Sequence, residues 1–300
     1  MPAARGITFA GIGDEAAPDL AGQLAAIRAL GWHAIELRTV DGVAIADLSD
    51  REFGEVTDAL AGHGTVAAAV ASGIGNWARP ADSDFGLDTR ELEVLAGRCA
   101  PLGTRFVRVM SYPNAGLADR DWRRVAVNRL RALADRAADS GLVLLHENCA
   151  GWAGSNAERM LDLLDTVGSP ALRLLFDTGN GIAYGYDPYP MLERIAAHVA
   201  HVHVKDARRA GAGTVYTEPG AGQARVADCL RLLVAAGFAG TWSIEPHLAL
   251  RPHEARPGTG DHDGFVAAGR ALVALARDEI APRFPGLTAH EAGIQAGRSR

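Results

Sequence analysis

The stretch His201-Val202-His203-Val204-Lys205-Asp206 decides how the chain is read. In a β-strand, side chains i and i+2 share a face. His201, His203 and Lys205 therefore point one way, and Val202 and Val204 the other. The valines suit contact with a layer of helices, so the polar face should line an enclosed interior. Similar runs recur at Ile7–Gly11, His33–Arg38, Thr65–Ala71, Arg105–Met110, Leu142–Glu147, Leu172–Asp177 and Thr241–Glu245. With Val199–Lys205 there are eight. Helix-type segments follow them: Asp19–Leu30, Asp50–Gly62, Arg90–Leu102, Trp122–Ser140, Asn156–Val167, Tyr189–His198, Val226–Gly237 and His262–Ile280. In the first, Leu20, Leu24, Ile27 and Leu30 fall at helical spacing on one face. Gly31, Gly64, Gly103, Gly141 and Gly237 stand where a helix ends ahead of the next strand.

Eight β-then-α units with no low-complexity linker predict a (β/α)8 TIM barrel. The expected catalytic domain covers residues 1–281. A Gly-, Ala- and Arg-rich tail, 282–300, should lie loose or on a neighbouring subunit. A dinucleotide-binding sheet is disfavoured, because Gly11-Ile12-Gly13-Asp14-Glu15 sets acids where a pyrophosphate would sit. Of 300 residues, 48% are hydrophobic and 22% charged, which is ordinary globular composition. The 30 basic and 36 acidic residues leave a net charge of −6 with no basic block, which speaks against a nucleic-acid or membrane-surface role. Lys205 is the one lysine of the chain. Cys99, Cys149 and Cys229 are too few and scattered for a disulfide framework or a zinc ribbon. No stretch approaches the ~18 apolar residues of a membrane span, and the N-terminus lacks a secretory signal. A soluble, cytoplasmic protein is expected.

In a barrel, chemistry sits at the C-terminal ends of the strands. Those ends carry Glu36 and Arg38 on strand two, Arg108 on strand four and His146-Glu147-Asn148 on strand five. Strand six ends in Asp177-Thr178-Gly179-Asn180 and strand eight in Ser243-Ile244-Glu245-Pro246-His247. Alternation turns Glu147, Asp177, His203 and Glu245 inward from four successive strands. Three carboxylates and one imidazole form an oxygen-rich donor set. It suits one divalent metal ion, Mn²⁺ or Mg²⁺ ahead of Co²⁺ or Zn²⁺. His146 faces away from Glu147, and His201 lies one step deeper than His203. Glu36, Arg38, Arg108, Asn180 and Lys205 are candidate substrate contacts. Trp77 and Trp152 either stack on a sugar face or pack within their loops.

At these residues the sequence resembles the sugar phosphate isomerase/epimerase superfamily, the xylose isomerase-like barrels. The resemblance rests on Ile35-Glu36-Leu37-Arg38, Leu145-His146-Glu147-Asn148, Phe176-Asp177, His201-Val202-His203-Val204-Lys205-Asp206 and Ile244-Glu245-Pro246-His247. It implies one divalent metal held by Glu147, Asp177, His203 and Glu245. It also implies a small carbohydrate or cyclitol substrate, and a homo-oligomer is compatible with it. Two departures stand out. Asn180 occupies a position where many members carry a substrate-binding His, and Pro219-Gly220-Ala221-Gly222-Gln223 replaces a Gly-Glu-Gly.

Such a site suits proton transfer beside a carbonyl through a metal-stabilised enediolate, with Glu147 and Glu245 as the two bases. The expected activity is sugar, sugar phosphate or cyclitol isomerisation or epimerisation. A lyase or dehydratase on the same metal site is the alternative, inosose dehydratase-like or acting on carbon glycosides. A metal-dependent binding module without catalysis ranks below both.

Overall fold

The computed structural model describes residues 5–211, 213–249, 260–284 and 287–290. Eight strands carry the architecture: β1 (Arg5–Gly11), β2 (Ala34–Leu37), β3 (Val66–Ala71), β4 (Phe106–Ser111), β5 (Val143–Gly151), β6 (Leu172–Asp177), β7 (Val199–Val204) and β8 (Thr241–Ile244). The helices between and after them are α1 (Leu20–Ala29), α2 (Asp50–His63), α3 (Phe85–Arg98), α4 (Asp119–Asp139), α5 (Ala157–Val167), α6 (Pro188–Ile195), α7 (Val226–Ala235) and α8 (His262–Leu275). Neighbouring strands pair in parallel from β2 through β8 and on to β1. The seam between β1 and β2 is bridged at its upper end by Ile12 and Glu36. The expected (β/α)8 barrel is the observed fold.

Local signals explain the helix boundaries. In α2 the Ser49 side chain accepts from the Glu52 amide while Glu52 reaches back to the Ser49 amide, a reciprocal cap. The helix stops at Gly64, whose φ of 62° is the left-handed conformation that glycine adopts without strain. The expected start of α3 at Arg90 lies too late. Asp84 accepts from the Gly86 amide and opens the helix at Phe85. Within the expected tail, Leu287–His290 forms β9, which pairs in parallel with the first residues of β1. Residues 291–300 lie outside the described residues.

Alternation divides the apolar residues into two cores. Beneath the site, Ala69, Leu145 and Leu175 fill the barrel interior against Phe106, Val143 and Ala200. The larger core lies between strands and helices, where Phe9 stacks on Trp32 and meets Trp242 edge-on. Above the apolar plug the interior side chains become polar. That change of lining fixes the height of the site.

Candidate metal centre

The pairing register sets Asp177 beside His203, and His203 beside Ser243, so β6, β7 and β8 end level with one another. Glu245 follows directly, its amide donating to the Val204 carbonyl. Glu147 enters from β5, opposite Leu175. One donor atom from each of Glu147, Asp177, His203 and Glu245 lies within 4.8 Å of the others, and all four residues are buried.

Each side chain is aimed by a specific neighbour. Asp177 Oδ1 accepts from the amides of Gly179 and Asn180, both at 2.7 Å, which turns Oδ2 toward the cluster. Arg38 donates through Nη1 to Glu245 Oε1 at 3.2 Å, leaving Oε2 facing inward. Asn180 donates to Glu147 Oε1 at 3.0 Å and accepts from Lys205 Nζ at 3.0 Å. Its amide thus links a carboxylate to an ammonium, using both ends. His203 Nε2 lies 2.9 Å from Glu36 Oε1, and its Nδ1 faces Glu245 at 3.4 Å and Glu147 at 3.6 Å. His201 Nε2 takes the other oxygen of Glu36, also at 2.9 Å.

The charges explain the titration. Burial alone would keep the Glu36 carboxyl protonated, but His203 and His201 outweigh it and hold the group well below its ordinary value. His203 is held well above its ordinary value, because Glu36, Glu147 and Glu245 overcome the cost of burial. Burial raises Asp177 to about 6 against the pull of Lys205, with Glu245 and Glu147 pushing the same way as burial. Three carboxylates this close require cations.

A divalent ion fits. Asp177 Oδ2, His203 Nδ1 and Glu245 Oε2 are buried and engaged in no hydrogen bond. Lys205 Nζ stands 3.0 Å from Asp177 Oδ2 and 2.6 Å from Glu245 Oε2, an ionic contact off the hydrogen-bond direction. Oxygen donors with one imidazole match a hard divalent cation.

A cavity of about 250 Å³ opens above the cluster. Trp77, Arg108, Asn180 and Lys205, four of the candidate substrate contacts, line it together with Met110, Cys149, Tyr184, Tyr216 and His247. Three other residues read as substrate contacts lie elsewhere. Glu36 is fully buried beneath His201 and His203, so it orients the imidazole rather than meeting substrate. Arg38 spends its guanidinium on Asp14, Glu15 and Glu245. Trp152 turns away from the cavity, with Arg123 of α4 and Arg159 of α5 over its ring. Lys205, next to Asp206 in sequence, is 2% exposed and inside the cluster. Asp206 instead accepts from the amides of Gly220, Gly222 and Ala224 and fastens that loop.

Several supports escape a strand-by-strand reading. Asn148 accepts from the Asp177 amide and donates to its carbonyl, bracing β6 against β5. Glu15 accepts from the amide of His247 at 2.7 Å and stands 2.7 Å from its Nδ1. Tyr216 comes from a hairpin, Asp206–Ala210 with Gly213–Thr217, that no periodicity announces.

The role of Glu36 is testable. Glu36→Gln keeps the side-chain shape but removes the charge that holds both histidines. Divalent-metal affinity, titrated calorimetrically, should fall 10–100-fold, the usual cost of losing a partner behind a ligating histidine. Unchanged affinity would reduce Glu36 to core packing.

A family model described as xylose isomerase-like TIM barrel matches residues 24–260. Among curated proteins, inosose dehydratase of Geobacillus kaustophilus (strain HTA426) is 33% identical over 92 residues, which are 31% of this chain and 30% of that protein. The match thus spans less than a third of that relative's length. Among solved structures, L-ribulose 3-epimerase superposes with a TM-score of 0.69 at 20% identity, covering 94% of this chain and 96% of that one. A xylose isomerase-like TIM barrel protein from Mycobacterium smegmatis, in complex with magnesium, superposes at 0.65 with 18% identity, covering 92% and 99%. At these identities the likeness is one of fold.

Proposed function

Because this chain belongs to the xylose isomerase-like TIM barrel family, we propose that it is a divalent-metal-dependent enzyme acting on a small carbohydrate or cyclitol. The reaction is proton transfer beside a carbonyl, giving isomerisation or epimerisation. The observation that carries this reading is the convergence of Glu147, Asp177, His203 and Glu245 on one point at the floor of the cavity. Those four residues would hold the ion, with Mg²⁺ or Mn²⁺ the best match to the donors. Once bound, the cation stabilises negative charge developing on the substrate's oxygens.

The chain's own residues do the rest. Glu147 comes from β5 and Glu245 from behind β8, so the two carboxylates approach a bound substrate from different walls. For epimerisation one carboxylate removes the proton and the other, in its protonated form, delivers a different proton to the opposite face; for isomerisation a proton is delivered to the neighbouring carbon. Lys205 and Asn180 line the same cavity and donate to substrate oxygens. Trp77, Met110 and Tyr216 give it apolar walls that limit water. Among the described residues no helix is long and apolar enough to cross a membrane. The three cysteines are free and buried, which supports a reducing, cytoplasmic setting.

A specific contact favours dehydration as the second reading. Lys205 Nζ lies 2.6 Å from Glu245 Oε2, so a base and a proton donor stand side by side. A hydroxyl leaving beside the new carbanion would find its proton there. The segment shared with inosose dehydratase supports the same reading.

Incubation with ketoses and inososes in D₂O, with Mg²⁺ or Mn²⁺ added, separates the two. An isomerase or epimerase yields a product of unchanged formula carrying deuterium at the reacting carbon. A dehydratase yields a product lighter by one water, with the absorbance of a conjugated carbonyl. Absence of both product and deuterium exchange across the panel would refute proton abstraction.

A further inference from the structure

Three arginines among the described residues are deeply buried: Arg38, Arg98 and Arg108. Arg38 is bonded to Asp14, Glu15 and Glu245. Arg98 donates to the carbonyls of Ile45 and Leu48. Arg108 differs. It is 4% exposed and lines the cavity, yet its Nε and Nη1 are buried without a hydrogen-bond partner. The nearest carboxylate oxygen, Glu147 Oε2, is 3.7 Å from Nε, too far for a hydrogen bond. Glu147 cannot readily swing closer, because Asn180 holds its other oxygen and the ligand cluster claims the carboxylate. The Trp77 ring, 6.0 Å from the guanidinium carbon, flanks the group at the cavity wall.

We propose that Arg108 receives an anionic oxygen group of the substrate, a carboxylate or a phosphate monoester, and so selects acidic sugar derivatives over neutral ones. This inference rests on the reading of the cavity as a carbohydrate site. Glu147 supplies a countercharge at 3.7 Å but no hydrogen bond, and buried guanidinium N–H groups left without an acceptor are costly. The missing partner therefore arrives with the ligand. A hydroxyl would satisfy one N–H, whereas an anionic pair of oxygens satisfies two with charge-assisted bonds. The cavity of about 250 Å³ matches a single small sugar unit in size.

Calorimetric titration of the Mg²⁺-loaded full chain with D-gluconate, D-glucitol 6-phosphate and D-glucitol tests this directly. The three probes share a six-carbon polyol and differ in the charged group. An anionic probe should bind at least about tenfold tighter than D-glucitol, the margin of one charge-assisted contact. The stronger of the two anions identifies the group as carboxylate or phosphate. Arg108→Gln should erase that margin, weakening the anions far more than D-glucitol, and Arg108→Lys should keep part of it. Equal affinities in the parent overturn the proposal, as does a parent that binds none of the three. So does a variant that weakens D-glucitol as much as the anions, because that outcome belongs to a purely structural arginine. A parent that takes up no Mg²⁺ instead defeats the metal reading, and the anion preference is then read from the metal-free protein.

Discussion

Asp177→Asn should lose divalent-metal binding and turnover together while remaining folded. Asparagine can still accept from the amides of Gly179 and Asn180, the two bonds that hold this turn after β6. What disappears is the negative charge on the oxygen facing Glu147, His203 and Glu245. The parent, titrated with Mg²⁺ or Mn²⁺ to a hundredfold excess over Kd, gains about 2.7 kcal/mol of stability by mass action. That corresponds to a rise in Tm of roughly 5 °C or more. In Asp177→Asn the rise should vanish, and activity should fall below detection at metal concentrations that saturate the parent. The parent should also show a pH dependence of known sign. Burial raises the Asp177 carboxyl to about 6, so the metal-free protein holds a proton there below that pH. Metal binding displaces it together with the proton on His203, which its carboxylate neighbours hold well above the ordinary value, so apparent affinity should weaken as pH falls, with the Asp177 step at about 6. A variant that responds to metal as the parent does would remove Asp177 from the site. Full activity after exhaustive chelation would remove the metal altogether.

Glu245→Gln separates holding a metal from moving a proton. Glutamine retains an oxygen for the cluster but cannot take up a proton. General-base help is typically worth 10²–10⁴-fold, so kcat should fall by that amount while metal uptake is only weakened. The neighbours sharpen the expectation. Lys205 loses its nearest counterion, 2.6 Å away, and Arg38 loses one of its three carboxylates. KM should therefore change less than kcat, since neither neighbour depends on Glu245 alone. Lys205 keeps Asp177 and Asn180, and Arg38 keeps Asp14 and Glu15. Turnover equal to the parent's would eliminate Glu245 as a base. A complete loss of metal would assign it to coordination alone.

Much of this was legible along the chain because it depends on periodicity. The eight apolar runs and the helices between them fold as a barrel, and their ends shift by only a few residues. The larger shift, α3 beginning at Phe85, comes from Asp84, a cap hidden among loop residues. Strand parity also put Glu147, Asp177, His203 and Glu245 on inward faces. Parity is a property of neighbours in sequence, and the pleat preserves it.

Other roles depend on partners remote in sequence, and no local pattern carries them. Glu36 reads like any strand-end acid until β7, 165 residues away, sets His201 against it. Arg38 and Arg108 are alike on paper, yet Arg38 meets Glu245 across 207 residues while Arg108 is left facing the cavity. Trp77 and Trp152 divide in the same way, one at the cavity and one beneath arginines of α4 and α5. The barrel, the inward faces and the type of donor atoms follow from spacing and side-chain chemistry, and so can be read along the chain. Which charges are spent on one another, and which still face the cavity, depends on the folded arrangement. That choice is made when barrel closure brings distant strand ends together and removes water from between them.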